Sequence, residues 1–240
     1  MIAPALSRFE EMLQTPFDES LEFTNEKIAR EWVWCDALFM SPPALALATS
    51  ATGDRRYADL MDRLWWKTTD YLYDKEEHLY SRDSRFFGQR EVNGKKVFWS
   101  RGNGWVLAGL ARVLQYLPED YPERPRFLTL FQGMAKKIAS LQGDDGYWRT
   151  SLLDPDSWPA PETSGTGFFT YALAWGVNQG LLDTTLRYSH LAPAHKTAAL
   201  AILDGAFNGR PYRTITAQSI PQAFPTHPQV IESVGADGRD

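Results

Sequence analysis

The sequence predicts an all-α fold of paired helices, an α/α toroid. Three observations predict it. Apolar residues recur at i, i+3, i+4 and i+7 in one segment after another. The segments between them are long and rich in aromatic residues, glycine and charge. Two helix ends are each followed by a charged turn and a short aromatic run, Leu79-Tyr80 and Tyr147-Trp148, an echo at helix-hairpin spacing. At this level a generic helical bundle remains the alternative.

The elements follow in order. Residues 4–14 form a first helix. A second spans 34–49, where Pro42-Pro43 must kink it or restart it. Gly53 and Asp54 are a stop and a fresh N-cap for a helix whose apolar face is Tyr57, Leu60, Met61, Leu64 and Trp65. The loop 78–101 carries Asn93-Gly94, a turn signal for a short β-hairpin. Val106, Leu110, Val113, Leu114 and Leu117 mark the next helix, capped by Asn103 and stopped at Pro118. Phe127, Leu130, Phe131, Met134, Ile138 and Leu141 mark another, opened by Pro125 and closed near Gly143. A further helix runs from Thr166 to Asn178, and one more from Pro193 to Ala206. From Asn208 the periodicity stops and Pro, Thr, Gln and Gly dominate. The expected organisation is one partial α/α domain over 1–207 and an irregular tail over 208–240.

Composition narrows the function. The 240 residues are 43% hydrophobic and 23% charged, with a formal net charge of −5. No apolar run is long enough to cross a membrane as a helix, and a mildly acidic chain is a poor general nucleic-acid binder. The first residues lack the basic start and apolar run of a secretory leader, so a cytoplasmic location is the expectation. A single cysteine, Cys35, leaves no intrachain disulfide framework and no Cys-cluster zinc site. His78, His190, His195 and His227 show no metal spacing, so no metal is assigned. The 9 Trp, 10 Tyr and 13 Phe residues fill a core or line a groove for ligands with flat apolar faces, as sugars have.

Four segments could carry chemistry. In Trp32-Val33-Trp34-Cys35-Asp36-Ala37-Leu38-Phe39-Met40 a carboxylate sits inside an apolar run. Burial there would favour its protonated form, which suits a group that donates a proton and takes one back. A helix cap or an ion-paired core Asp reads equally well from the pattern. Cys35 beside it reads as a small core residue rather than a nucleophile. In Phe98-Trp99-Ser100-Arg101-Gly102-Asn103-Gly104-Trp105, the glycines permit a tight turn and close ligand approach. Arg101 offers a fork for a carboxylate, and Trp99 and Trp105 can wall a pocket. This is no dinucleotide fingerprint, because the third glycine is missing. Leu79-Tyr80-Ser81-Arg82-Asp83-Ser84-Arg85 reads as a solvated charged turn. Glu162-Thr163-Ser164-Gly165-Thr166-Gly167 reads as a helix cap.

Taken together and in this order, the motifs at 32–40, 98–106, 141–148 (Leu-Gln-Gly-Asp-Asp-Gly-Tyr-Trp) and 162–166 resemble those of glycoside hydrolase families 105 and 88, with family 105 the closer. The resemblance covers 25–207. It implies an (α/α)6 barrel, here incomplete, and removal of a 4,5-unsaturated uronic acid from the non-reducing end of lyase-generated oligosaccharides. The implied reaction is hydration of a vinyl ether rather than direct attack on the glycosidic bond. One carboxyl group can then serve as acid and base, where ordinary glycoside hydrolysis needs two. Position by position, the resemblance makes Asp36 the acid/base. Trp34, Arg82, Trp99, Arg101, Asn103, Trp105, Trp148 and Thr166 become the substrate-binding set, with Trp105 stacking on the sugar. Where such proteins carry a His in a Leu-Phe-Tyr-His motif, this chain has Ser81-Arg82, which offers Arg82 to the uronate carboxylate. The resemblance implies no cofactor and no metal, an unsaturated uronide oligosaccharide as the partner, and a monomer or homodimer.

Overall fold

The structure, a computed structural model, describes residues 3–17, 19–24 and 31–183. The predicted helix 193–206, the boundary at 207 and the tail lie outside the described residues. Seven α-helices are described: α1 (Ala3–Gln14), α2 (Ala37–Met40), α3 (Pro42–Thr52), α4 (Arg56–Leu72), α5 (Ser100–Tyr116), α6 (Arg124–Ser140) and α7 (Thr163–Asn178). α3, α5 and α7 pack in one row. α4 lies against α3, α6 against α5 and α7, and α1 against α4. This alternation of inner and outer helices is that of an α/α barrel.

α5 is the centre. Twelve of its seventeen residues are buried, because neighbours contact it on several sides. Small residues let those neighbours come close. A Cβ on Gly109 would lie 2.5 Å from the carbonyl oxygen of Leu38, and one on Gly165 would lie 2.7 Å from Cβ of Ser100. The α2 backbone and the start of α7 therefore pack directly against α5. The outer helices are one-sided. α4 buries the predicted Tyr57, Leu60, Met61, Leu64 and Trp65, together with Trp66 and Leu72. α6 buries Phe127, Leu130, Phe131, Met134 and Ile138.

The helix ends show which local signals decided. The diproline restarts the chain rather than kinking it. α2 stops at Met40, and α3 begins at Pro42, where the missing N–H groups would have found no intrahelical partner. Gly53 closes α3 in the left-handed region at φ 76°, its N–H donating to Thr49 O at 2.8 Å. Asp54 then accepts from the Arg56 N–H at 3.0 Å. α7 begins three residues before the predicted start, because Glu162 caps it by accepting from the N–H groups of Ser164 and Gly165.

Two expectations are corrected. The N-cap of α5 is Trp99, not Asn103, and Asn103 is wholly buried in the first turn. Its side chain instead acts as a strand partner. Oδ1 accepts from the Tyr80 N–H at 2.8 Å, and Nδ2 donates to the Tyr80 carbonyl at 3.1 Å. The described strands are also elsewhere than Asn93-Gly94. β1 (Tyr73–Asp74) and β2 (Leu79–Tyr80) pair antiparallel, Tyr73 opposite Tyr80. The Asn93-Gly94 turn forms, with Gly94 at φ 81°, but only a single bridge between Arg90 and Lys96 closes it.

Candidate active site

Asp36 immediately precedes α2. It occupies the N-cap position, yet its side chain makes no capping hydrogen bond. Nor does it form an ion pair with any described residue. Its carboxylate is half-buried and rests against the first turn of α5, where a Cβ on Gly102 would stand 3.8 Å from Oδ1. The one hydrogen bond it receives among the described residues comes from the thiol of Cys35, Sγ to Oδ1 at 3.4 Å. Cys35 is completely buried, and burial, followed by the adjacent Asp36 charge, pushes its thiol well above the usual range. The thiol therefore stays protonated and serves as a donor, not as a nucleophile. Among the described residues, then, neither a helix cap nor an ion pair uses the Asp36 carboxylate.

The surroundings of Asp36 come from three parts of the chain. The N–H of Cys35 donates to the Arg82 carbonyl at 2.9 Å, which ties the loop after β2 to the Asp36 segment. The Arg82 guanidinium lies 5.7 Å from the ring centres of both Phe23 and Trp34. On the other side, Trp105 of α5 stands 5.0 Å from Phe39 and 4.2 Å from Phe168 of α7, an aromatic cluster built from three helices. Two open clefts flank the segment. One, of about 520 Å³, is lined by Met12, Trp32, Trp34 and Ala37. The other, of about 680 Å³, is lined by Phe39, Leu47, Arg112, Phe168 and Tyr171. Asp36 is among the lining residues of neither.

The sequence-predicted residues divide. Trp34, Asp36 and Arg82 are brought together. Arg101 is exposed on the first turn of α5, beside Gly102, with no hydrogen-bond or ion-pair partner among the described residues. Trp105 is half-buried in the aromatic cluster. Trp99 is half-buried and turned toward Phe86, with ring centres 4.8 Å apart. Thr166 is half-buried, and its hydroxyl accepts from the Trp148 N–H at 3.2 Å, which fastens the 147–148 turn to α7. Asn103 and Trp148 do not face a ligand. Both are 0% exposed. The Asn103 amide is used on Tyr80, and the Trp148 indole donates to the Ile138 carbonyl at 2.8 Å.

Sequence reasoning missed Phe168, Phe23, Arg85 and above all Asp83. The 79–85 segment is not a solvated charged turn, because Asp83 is fully buried. Burial opposes its charge, but the hydrogen bonds and charge of Arg85, with the charge of Arg82, outweigh this and hold the carboxyl below the ordinary range. The alternation of charges was visible. The Phe23 ring beneath Arg85, 3.6 Å from the guanidinium, was not, since it lies far away in sequence.

The model of Glycosyl Hydrolase Family 88, one of the two families the motifs resemble, matches residues 1–204. The chain belongs to this family. A relative named unsaturated 3S-rhamnoglycuronyl hydrolase, from Formosa agariphila, is 50% identical over 179 residues, covering 72% of this chain and 46% of its own length. One of the same name from Alteromonas sp. is 47% identical over 151 residues, covering 63% and 37%. The solved structure of a family 88 glycosyl hydrolase from Bacteroides vulgatus superposes with a TM-score of 0.71 at 37% identity, over 79% of this chain and 53% of that one. The chain thus spans about half the length, or less, of the relatives it matches.

Proposed function

We propose that this family 88 chain belongs to a glycosidase that removes a 4,5-unsaturated uronic acid from the non-reducing end of oligosaccharides, with Asp36 as general acid and base. The protonated carboxyl group gives its proton to C4 of the vinyl ether. Water adds at C5 and returns a proton to the carboxylate. The hemiketal opens to a ketone and leaves its ring oxygen as the hydroxyl of a hemiacetal at C1, and that hemiacetal collapses to an aldehyde as the glycosidic oxygen leaves as the alcohol of the next sugar. The relatives' names point to a rhamnose-linked glycuronyl unit as the substrate. The observation that carries this reading is the state of Asp36. It is a half-exposed carboxylate at a helix start that, among the described residues, neither caps nor pairs and is steadied by one weak thiol donor. A structural aspartate would be expected to use its oxygens on the helix N–H groups.

The test is turnover of lyase-generated disaccharides, followed by loss of the ultraviolet absorbance of the conjugated enol-ether acid. Asp36→Asn is expected to lower kcat by about 10²- to 10⁴-fold, with the thermal midpoint unchanged. Unchanged turnover overturns the assignment. A second reading, binding of such oligosaccharides without turnover, is favoured by the exposed apolar residues Met40, Leu47 and Tyr171 along the inner helices. It predicts binding by the wild type with no loss of absorbance.

A further inference from the structure

The side-chain cluster behind the Asp36 segment carries more than a structural turn requires. The Asp83 carboxylate, with 0% side-chain exposure, takes a two-pronged contact from Arg85: Nε to Oδ1 at 2.9 Å and Nη2 to Oδ2 at 3.0 Å. It takes a second ion pair from Arg82 through Nη1. It also accepts the Arg85 backbone N–H at 3.1 Å, which begins the short 3-10 turn Ser84–Phe86. A neutral side chain could cap that turn. A buried carboxylate is costly unless its partners are held in good geometry, and here it is shared between two guanidinium groups.

Charge counting gives the consequence. Among the described residues, two guanidinium groups on one carboxylate leave one positive charge unmatched. Both arginines reach solvent, with side chains 26% and 51% exposed. Among the described residues, Nε and Nη2 of Arg82 and Nη1 of Arg85 find no carboxylate, although a guanidinium has five N–H donors in a fixed fork. Arg85 lies over Phe23, 3.6 Å from its ring centre. Arg82 stands between Phe23 and Trp34, and its carbonyl is bonded to the N–H next to Asp36. In an unsaturated uronide the carboxylate is attached to C5, the neighbour of the carbon that accepts the proton. Its receptor must therefore lie within one sugar ring of the proton donor.

We propose that Asp83 is a positioning residue that gathers Arg82 and Arg85 into a receptor of single net positive charge for the carboxylate of the unsaturated sugar. This rests on the hydrolase reading for the identity of the anion. It extends that reading to two residues that the motifs do not assign.

The experiment compares an unsaturated uronide disaccharide with its methyl ester, using the intact chain, Asp83→Asn and Arg85→Gln. The two variants change the local charge in opposite directions. If geometry decides, each raises KM for the acid by about ten- to a hundredfold, the worth of a hydrogen bond to a charged group. The kcat stays within about threefold, as for uniform binding, the ester is unaffected, and the preference for acid over ester disappears in both. If Asp83→Asn keeps or increases the acid preference, Asp83 is merely a buried counter-ion and the inference falls. Should Asp83→Asn fail to fold, Arg85→Gln, at an exposed position, decides alone, and a retained preference overturns the proposal. Should the wild type turn over neither compound, tryptophan fluorescence titration separates the two ideas. Binding that prefers acid to ester, with the preference lost in the variants, keeps the receptor and removes the hydrolase. No binding by the wild type removes both.

Discussion

The loops that follow α4 and α6 begin alike and end differently. Each tucks one aromatic residue completely into the core and anchors it by one hydrogen bond to the outer helix just before it. The Tyr80 hydroxyl meets the Thr69 hydroxyl of α4 at 2.8 Å, and the Trp148 indole donates to the Ile138 carbonyl of α6, also at 2.8 Å. Each loop also has an aspartate forked by an arginine, after the anchor in the first loop and before it in the second. In the first loop that aspartate is Asp83, wholly buried, shared by two arginines and tied to the Asp36 segment. In the second it is Asp145, 45% exposed, with Arg149 as its one arginine partner among the described residues. The second loop then spends its backbone on the starts of α5 and α7. Thr150 accepts from the Ser100 N–H, and the Glu162 N–H donates to the Trp148 carbonyl. The same helix-hairpin device therefore fastens the frame in one place and delivers charge to the candidate site in the other. What separates them is burial of the carboxylate, which turns a solvent-screened pair into a fixed one.

Variants can break this comparison. The largest effect is expected where the loops agree. Tyr80→Ala and Trp148→Ala should each lose about 3–5 kcal/mol in denaturant unfolding, the usual result of emptying a large aromatic site. A small loss in either would show that its anchor is dispensable. Next comes the contrast. Asp83→Asn should cost about 2 kcal/mol, because the buried pairs are lost but their arginines can turn to water. Asp145→Asn should cost less than about 0.5 kcal/mol, as exposed pairs do. Equal costs would erase the distinction.

The difference between wild type and Asp83→Asn should also depend on pH. The Asp83 carboxyl lies below its ordinary value of 3.8 in the folded protein. Its stabilising contribution is therefore complete above that value and is lost as pH falls through the lower folded one. Stability measured from neutral pH down into that range should show the two proteins converging, and a constant gap would mean that the carboxylate's charge does not matter. Tyr80→Phe should cost only about 1 kcal/mol, since Thr69 also donates to the Trp65 carbonyl at 2.8 Å and keeps a partner.

Much of the fold was legible in the chain because the signals are local. The 3.6-residue apolar period located α4, α5 and α6, the diproline marked the restart at α3, and Gly53 ended the helix before it. Glu162 was readable as part of a cap. The ordered motifs led to the family, whose model matches residues 1–204, and the resemblance offered Asp36 as the acid of the proposed reaction. Asn103 and Trp148 misled for one reason. Both belong to residue types that serve equally as ligand contacts or as partners for buried backbone, and only burial tells the two apart.

The amino-acid sequence by itself determined the helices, their order and the family, because periodicity, turn residues and motif spacing are properties of neighbours along the chain. Tertiary structure alone decided that Asp36 has no ion-pair partner among the described residues while Asp83 is buried between two arginines. The fate of a carboxylate depends on which groups remote segments bring within a few ångströms of it, and on how much water they leave behind.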